Sequence, residues 1–223
     1  MTWIMKLYNI LISSLVFFLL FACSEKPVKD SRVERLPYYQ EATFTPHWLT
    51  DNDPKLDTFH RISPFQLINQ EGDTISERDF DDKIYVVDFF FTSCPGMCPK
   101  MTENMTVLQD EFLEDEEVWL LSHSVTPERD SVSILKNYAE SKGILSETWH
   151  LATGEQSTIY KLARRDYFVE EDLGLTRELD EFLHTENFVL IDKNRHIRGI
   201  YNGLNMSDVK QLAADIRTLK KEG

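Results

Sequence analysis

Positive charge is scarce in this sequence. Lys and Arg number 24 against 38 Asp and Glu in 223 residues, a formal net charge of −14. Such a surface repels phosphate, which excludes non-specific nucleic-acid binding and favours solubility and basic partners. Internal repeats and low-complexity segments are absent, and a hydrophobic fraction of 42% suffices for a core. The length then allows one domain of ordinary size plus extensions. Cysteine is scarcer still, with only Cys23, Cys94 and Cys98. That excludes a disulfide-stapled scaffold. The close pair closes a loop of about five residues and adds little as a staple on the loop-length model. Its role is chemical rather than architectural.

Long apolar runs are missing too. Residues 7–21 are apolar except for Tyr8, Asn9, Ser13 and Ser14, short of the ~20 residues of a spanning helix. Lys6 precedes the run, and Leu20-Phe21-Ala22-Cys23-Ser24 ends it before a polar stretch. This is the layout of a secretory signal; the other reading is an uncleaved anchor helix. Either way the rest of the chain leaves the cytoplasm. The ending at Cys23 resembles the lipobox of bacterial lipoproteins. That resemblance implies a diacylglycerol on the Cys23 thiol, a mature N-terminus there, and an extracytoplasmic, membrane-anchored lipoprotein. Lipidation also removes the odd thiol that an oxidising compartment would otherwise leave unexplained.

Three segments follow: a signal at 1–23, a polar tether at 24–57 and a domain at 58–223. The tether carries Pro27, Pro37, Pro46 and Pro54, and its aromatics (Tyr38, Tyr39, Phe44, Trp48) suggest that its later part packs on the domain. Residues 65–69 and 74–76 flank a turn with Gly72 and read as a hairpin. Residues 83–91 are rich in β-branched and aromatic residues, continuous enough for a strand buried on both faces. Met101, Met105, Leu108 and Phe112 share one face of a helix expected over 99–114. A strand is expected at 117–125, a helix at 127–142 stopped by Gly143, a short strand at 148–152 and a helix at 155–164. Strands at 186–192 and 196–201 form a hairpin, and Ser207 is the expected N-cap of a final helix. Parallel units followed by an antiparallel hairpin and a covering helix give an α/β, thioredoxin-like fold with an N-terminal β-hairpin extension. Residues 164–183 form an acidic insertion, read either as a solvated loop or as a mobile flap that carries His184 to the thiols or docks a basic partner.

Ligands in such sheets gather beyond the carboxyl ends of the parallel strands. There the strand 83–91 leads into Thr92-Ser93-Cys94-Pro95-Gly96-Met97-Cys98-Pro99. Pro99 suits a first helical turn, so Cys98 is expected just before the helix or at its cap, where exposed N–H groups favour a thiolate. Pro95 and Gly96 turn the chain so that both thiols can point to one spot. Thiol-exchange motifs usually have two intervening residues. The extra residue here still allows a disulfide and also lets two sulfurs bind one metal, with soft thiolates selecting copper(I), zinc or iron–sulfur. A third ligand, most readily a His, is then needed. His47, His60, His123, His150, His184 and His196 are available. His123 stands near the end of the neighbouring strand and His184 in the loop before 186–192; spacing does not choose between them.

Val87-Asp-Phe-Phe-Phe-Thr-Ser-Cys94-Pro-Gly-Met-Cys98-Pro-Lys-Met resembles the signature of the Sco/SenC family of copper-binding assembly factors. Ser124-Val-Thr-Pro-Glu-Arg-Asp130 is similar to that family's second motif, and Leu183-His184-Thr185 to its His segment. The resemblance runs from about residue 58 to the C-terminus. It implies a copper ion held by Cys94, Cys98 and His184. It also implies a metallochaperone that serves a respiratory oxidase such as cytochrome c oxidase, whose partner is a copper-accepting oxidase subunit or another copper chaperone. The family equally implies an alternative, a membrane-anchored thiol–disulfide reductase acting on a partner's copper-site cysteines, which needs Cys94 and Cys98 but not His184. A peroxidase is disfavoured, because Thr92-x-Cys94 is one residue shorter than the peroxiredoxin spacing. Two positions depart from the family pattern: Thr126 stands where an Asp usually precedes the Pro, and Leu183 where an Asp often precedes the His. An acid beside a ligating His tunes it, so these departures bear on tuning rather than on the ligand set.

Overall fold

A computed structural model describes residues 30–169 and 185–222. A small hairpin, β1 (Gln66–Ile68) and β2 (Thr74–Ser76), precedes a five-stranded sheet. The sheet contains β3 (Ile84–Phe90), β4 (Val118–Ser124), β5 (Trp149–Ala152), β6 (Asn187–Ile191) and β7 (Ile197–Asn202), in the order β5-β4-β3-β6-β7. Strands β3, β4 and β5 are parallel, whereas β6 runs antiparallel to β3 and β7 antiparallel to β6. Helices α1 (Met97–Glu111), α2 (Val132–Lys142), α3 (Gln156–Lys161) and α4 (Met206–Glu222) complete the described architecture. This is a thioredoxin-like α/β fold.

Every residue of β3 is buried, as expected of a central strand covered on both faces. Alternation divides it. Ile84, Val86 and Phe90 join one core with Met101, Met105 and Leu108 of α1, Leu135 of α2 and Val209, Leu212 and Ile216 of α4. Tyr85, Val87 and Phe89 join a second core with Leu67, Ile75, Phe80, Ile159 and Tyr167. The α1 face read from the sequence is the buried one. The hairpin covers the open edge of β5: the Gln70 amide donates to the Trp149 carbonyl at 2.8 Å and its oxygen accepts from the Leu151 N–H at 2.7 Å. A side chain thus completes a rung that an edge strand would otherwise expose.

Several boundaries differ from expectation. Helix α1 begins at Met97 rather than 99, with Gly96 as its cap residue, because Pro is tolerated anywhere in a first turn, where N–H groups lack helical partners. Residues 127–130 form a turn, and α2 starts only at Val132. Ser207 lies inside α4, and the Asn205 side chain accepts from its N–H at 2.9 Å. From the stretch before residue 58, Leu36, Tyr38, Leu49 and Leu56 are buried, whereas Trp48 is 61% exposed. Buried Arg198 of β7 holds this stretch, donating to the carbonyls of Leu36 (2.7 Å) and Pro37 (3.2 Å). Cys23, His184 and most of the acidic stretch lie outside the described residues.

Candidate metal and thiol centre

Strand β3 ends at the edge of the first core, and the chain turns at once: the Cys94 N–H donates to the Phe91 carbonyl at 3.2 Å. Cys94 is half-buried and Cys98 is 4% exposed. The sulfur of Cys94 accepts hydrogen bonds from the backbone N–H groups of Gly96, Met97 and Cys98 and from the Cys98 thiol. It therefore caps α1, where orphan donors and the helix dipole favour an anion. Partial burial raises the Cys94 pKa, but these donors outweigh it and hold the thiol below its ordinary value. Burial, followed by the bond it gives to Cys94, pushes Cys98 up to about 12. The lowered pKa expected at Cys98 thus belongs to Cys94, because Cys98 is already inside the first turn. The pair is asymmetric, a partly exposed sulfur with a lowered pKa in front of a buried one whose pKa is raised.

Three groups around the pair were not singled out from the sequence. Asp88, alternating with Val86 and Phe90, projects toward the α1 side of β3. Burial raises its carboxyl to about 7, a Ser122 hydroxyl working against the rise. Its Oδ1 has no hydrogen-bond partner. An acid inside the run 84–91 was the available signal. Tyr138 of α2 packs on Phe90 with ring centroids 5.5 Å apart. Its hydroxyl lies 2.8 Å from Thr102 Oγ1, which in turn donates to the Cys98 carbonyl at 3.0 Å. Asp130 ties the loop after β3 to the loop after β4. A groove of about 530 Å3, lined by Gly96, Pro99, Lys100, Thr102, Ser141 and Lys142, opens beside this centre. A cavity of about 510 Å3 near Arg61, Asp192 and Arg198 lies at the other end of β3 and serves no thiol.

The described histidines stand elsewhere. His123 is the β4 partner of Phe89 and stacks on that ring at 4.8 Å, on the face opposite the thiols. His150 packs against Phe80 and Trp119 on that same face. His60 bonds to the Asp166 carbonyl and His196 to the His60 carbonyl, the latter beside the β6–β7 turn at the far end of the sheet. His47 pairs with Tyr38. Among the described residues no group of three His, Cys, Asp or Glu could hold a metal. Antiparallel pairing of Val87 with Val189 brings the start of β6 to the thiol end, and Thr185 precedes that start by two residues.

A family model described as SCO1/SenC matches residues 53–221. Among solved structures, a SCO1/SenC family lipoprotein from Bacillus anthracis is 29% identical with a TM-score of 0.63, covering 72% of this chain and 95% of its own. BsSco, described with a disulfide switch and as a member of the Sco family of cytochrome c oxidase assembly proteins, is 27% identical with a TM-score of 0.62, covering 73% and 94%. Bradyrhizobium japonicum ScoI with copper bound is 25% identical with a TM-score of 0.56, covering 72% and 98%.

Proposed function

The chain belongs to the SCO1/SenC family, and on that premise we propose that it binds copper through Cys94, Cys98 and His184 to serve the assembly of a respiratory oxidase. The observation that carries this is the sulfur pair at the start of α1. Three backbone N–H groups and the Cys98 thiol lower the Cys94 pKa against partial burial, and Cys98 lies buried beside it. Two thiolates are soft donors suited to copper(I). Copper is then cargo, taken up and released by a site open on one side. His184 adjoins Thr185, before the strand whose start pairs at the thiol end, while the described histidines lie away from the pair. The copper-bound relative supports the same metal.

The oxidase subunit, or another copper chaperone, is the proposed partner. A diacylated Cys23 would hold the domain at the outer side of a membrane, in keeping with the lipoprotein relative. Mass spectrometry of the native protein should find the lipid on Cys23; a mature chain still starting at Met1 would overturn the anchor.

The same asymmetry supports a second reading, thiol–disulfide exchange. There Cys94 attacks a partner disulfide, and Cys98 then displaces the partner's thiol to leave a Cys94–Cys98 disulfide. One experiment separates the two. Detergent-solubilised full-length protein is reduced, loaded with copper(I), and assayed for metal per chain and free thiols. One copper per chain, lost in Cys94→Ser and Cys98→Ser and weakened in His184→Ala, supports the copper site. No bound copper with intact reductase turnover would leave the second reading in its place.

A further inference from the structure

Asp130 is buried, and its carboxylate accepts four hydrogen bonds. Oδ2 accepts from the Thr92 N–H (3.2 Å), the Ser124 hydroxyl (2.6 Å) and the Thr126 hydroxyl (3.1 Å), and Oδ1 accepts from the Thr92 hydroxyl at 2.5 Å. These donors come from the ends of both central parallel strands. Thr92 is two residues past β3, and Ser124 is the last residue of β4. Backbone pairing of the two strands runs to Phe90 and Ser124 and ends with the Val125 N–H donating to the Phe90 carbonyl at 2.9 Å. Beyond that rung, Asp130 is what holds Thr92 in place. Cys94 follows Thr92 by two residues, before the first helical N–H groups that its sulfur must meet.

We propose that Asp130 is the positioning residue of the thiol loop: through Thr92 it sets where Cys94 stands relative to Cys98 and the start of α1. The proposal rests on the copper-site reading for its metal readout. Thr126 fits the same role. An acid at this position, usual in the family motif, has no proton to donate when ionised and would set a second carboxylate beside Asp130. A threonine instead brings a donor of its own and completes the shell around one carboxylate.

Asparagine is a near-isostere here. Its carbonyl can take the place of Oδ2, facing the Thr92 N–H, which cannot reverse its role. Its amide then faces the Thr92 hydroxyl, which can accept instead. Alanine removes every bond.

The test uses full-length protein in detergent, with Asp130→Ala, Asp130→Asn, Thr92→Val and the double variant Asp130→Ala/Thr92→Val. Unfolding midpoints are measured alongside two site readouts, copper(I) affinity by chelator competition and the midpoint potential of the Cys94–Cys98 disulfide against glutathione. In folded protein, Asp130→Ala should weaken copper(I) roughly tenfold or more, as loss of charge-assisted hydrogen bonds implies, and shift the potential. Asp130→Asn should recover most of both. Thr92→Val should have a smaller effect, absent when added to Asp130→Ala, since coupled residues fail to add. A folded Asp130→Ala with wild-type affinity and potential would overturn the proposal, as would an Asparagine variant as weak as the Alanine one. If Asp130→Ala does not fold, Thr92→Val decides alone: both readouts unchanged would overturn the proposal. If the wild type binds no copper, the copper reading fails while the potential still tests the positioning role.

Discussion

Asp88 and His123 lie on adjacent strands, one residue out of register, and bury their side chains on opposite faces of the sheet. Asp88 pairs with Ser122 and His123 with Phe89. Both are buried, and Asp88 Oδ1 and both ring nitrogens of His123 have no hydrogen-bond partner. Burial drives them in opposite senses: the carboxyl rises from 3.8 to about 7, and the imidazole falls from 6.5 to about 3. In each case folding favours the neutral form.

The two should therefore oppose one another in the pH dependence of stability. Asp88, raised on folding, contributes stability that is complete below pH 3.8 and is lost as pH rises toward 7. His123, lowered on folding, contributes stability that is complete above pH 6.5 and is lost as pH falls toward 3. Across the shared window each slope approaches about 1.4 kcal/mol per pH unit, with opposite sign. Urea unfolding of the metal-free protein from pH 4 to 6.5 should reveal them singly. His123→Phe should leave a stability that falls as pH rises, and Asp88→Asn one that rises with pH. Parallel profiles for the two variants would contradict the assignment.

Arg198 gives a second prediction. Its guanidinium is 3% exposed, bonds to Asp192 at 3.1 Å and Glu222 at 2.5 Å, and lies 3.9 Å over the Tyr38 ring. Removing it strands two buried carboxylates. Arg198→Ala should cost about 3–5 kcal/mol, the usual result of breaking a buried pair from one side. Arg198→Lys should recover only part of this, since a point charge cannot reach both acids and two carbonyls at once. Because Arg198 also anchors residues 36 and 37, limited proteolysis should cut Arg198→Ala within 30–40 faster than the wild type. Equal cleavage would mean that other contacts hold this stretch.

The thiols supply a third. Cys94 is partly exposed with a lowered pKa, and Cys98 is buried and raised to about 12. Iodoacetamide at neutral pH should label Cys94 first, with a rate that levels off below the pH where a free thiol would, near ~8.5. Cys98 should react only on unfolding. Peptide mapping after brief labelling checks the order, and labelling of Cys98 first would reverse the roles given to the two sulfurs.

Periodicity made the scaffold legible. The β-branched and aromatic run of β3, interrupted only by Asp88, the α1 face of Met101, Met105 and Leu108, and the Gly143 stop are local patterns with local causes. The thiol pair was legible because its turn chemistry is confined to six residues. What stayed hidden depends on side chains that meet from distant positions. Pro99 fixed the first turn of α1 but not which residue begins it, so the sulfur of lowered pKa was placed one cysteine too late. Asp130 read as part of the start of a helix at 127–142, and only the approach of Thr92, Ser124 and Thr126 gives it four donors. His123 ended the right strand, yet strand parity puts it on the wrong face. Arg198 joins residues 161 and 162 positions away, which no local pattern reports.

The last prediction concerns acid and copper together. Copper(I) can bind the pair only by displacing the proton of Cys98, whose thiol burial and the Cys94 bond hold up at about 12. Binding should therefore release the Cys98 proton, and more protons at any pH where Cys94 and His184 are themselves protonated. Apparent affinity should fall as pH falls, about tenfold per unit at first and more steeply in acid. Chelator competition between pH 8 and 5 measures the slope. His184→Ala should bind more weakly throughout and lose the extra steepness near ~6.5, where a free imidazole titrates. His123→Phe should superimpose on wild type at every pH, since that ring lies behind the sheet against Phe89. If His123→Phe lost the metal while His184→Ala kept it, the sheet face and the ligand assignment would both be wrong. A pH-independent affinity would mean that the sulfurs of Cys94 and Cys98 do not hold the copper.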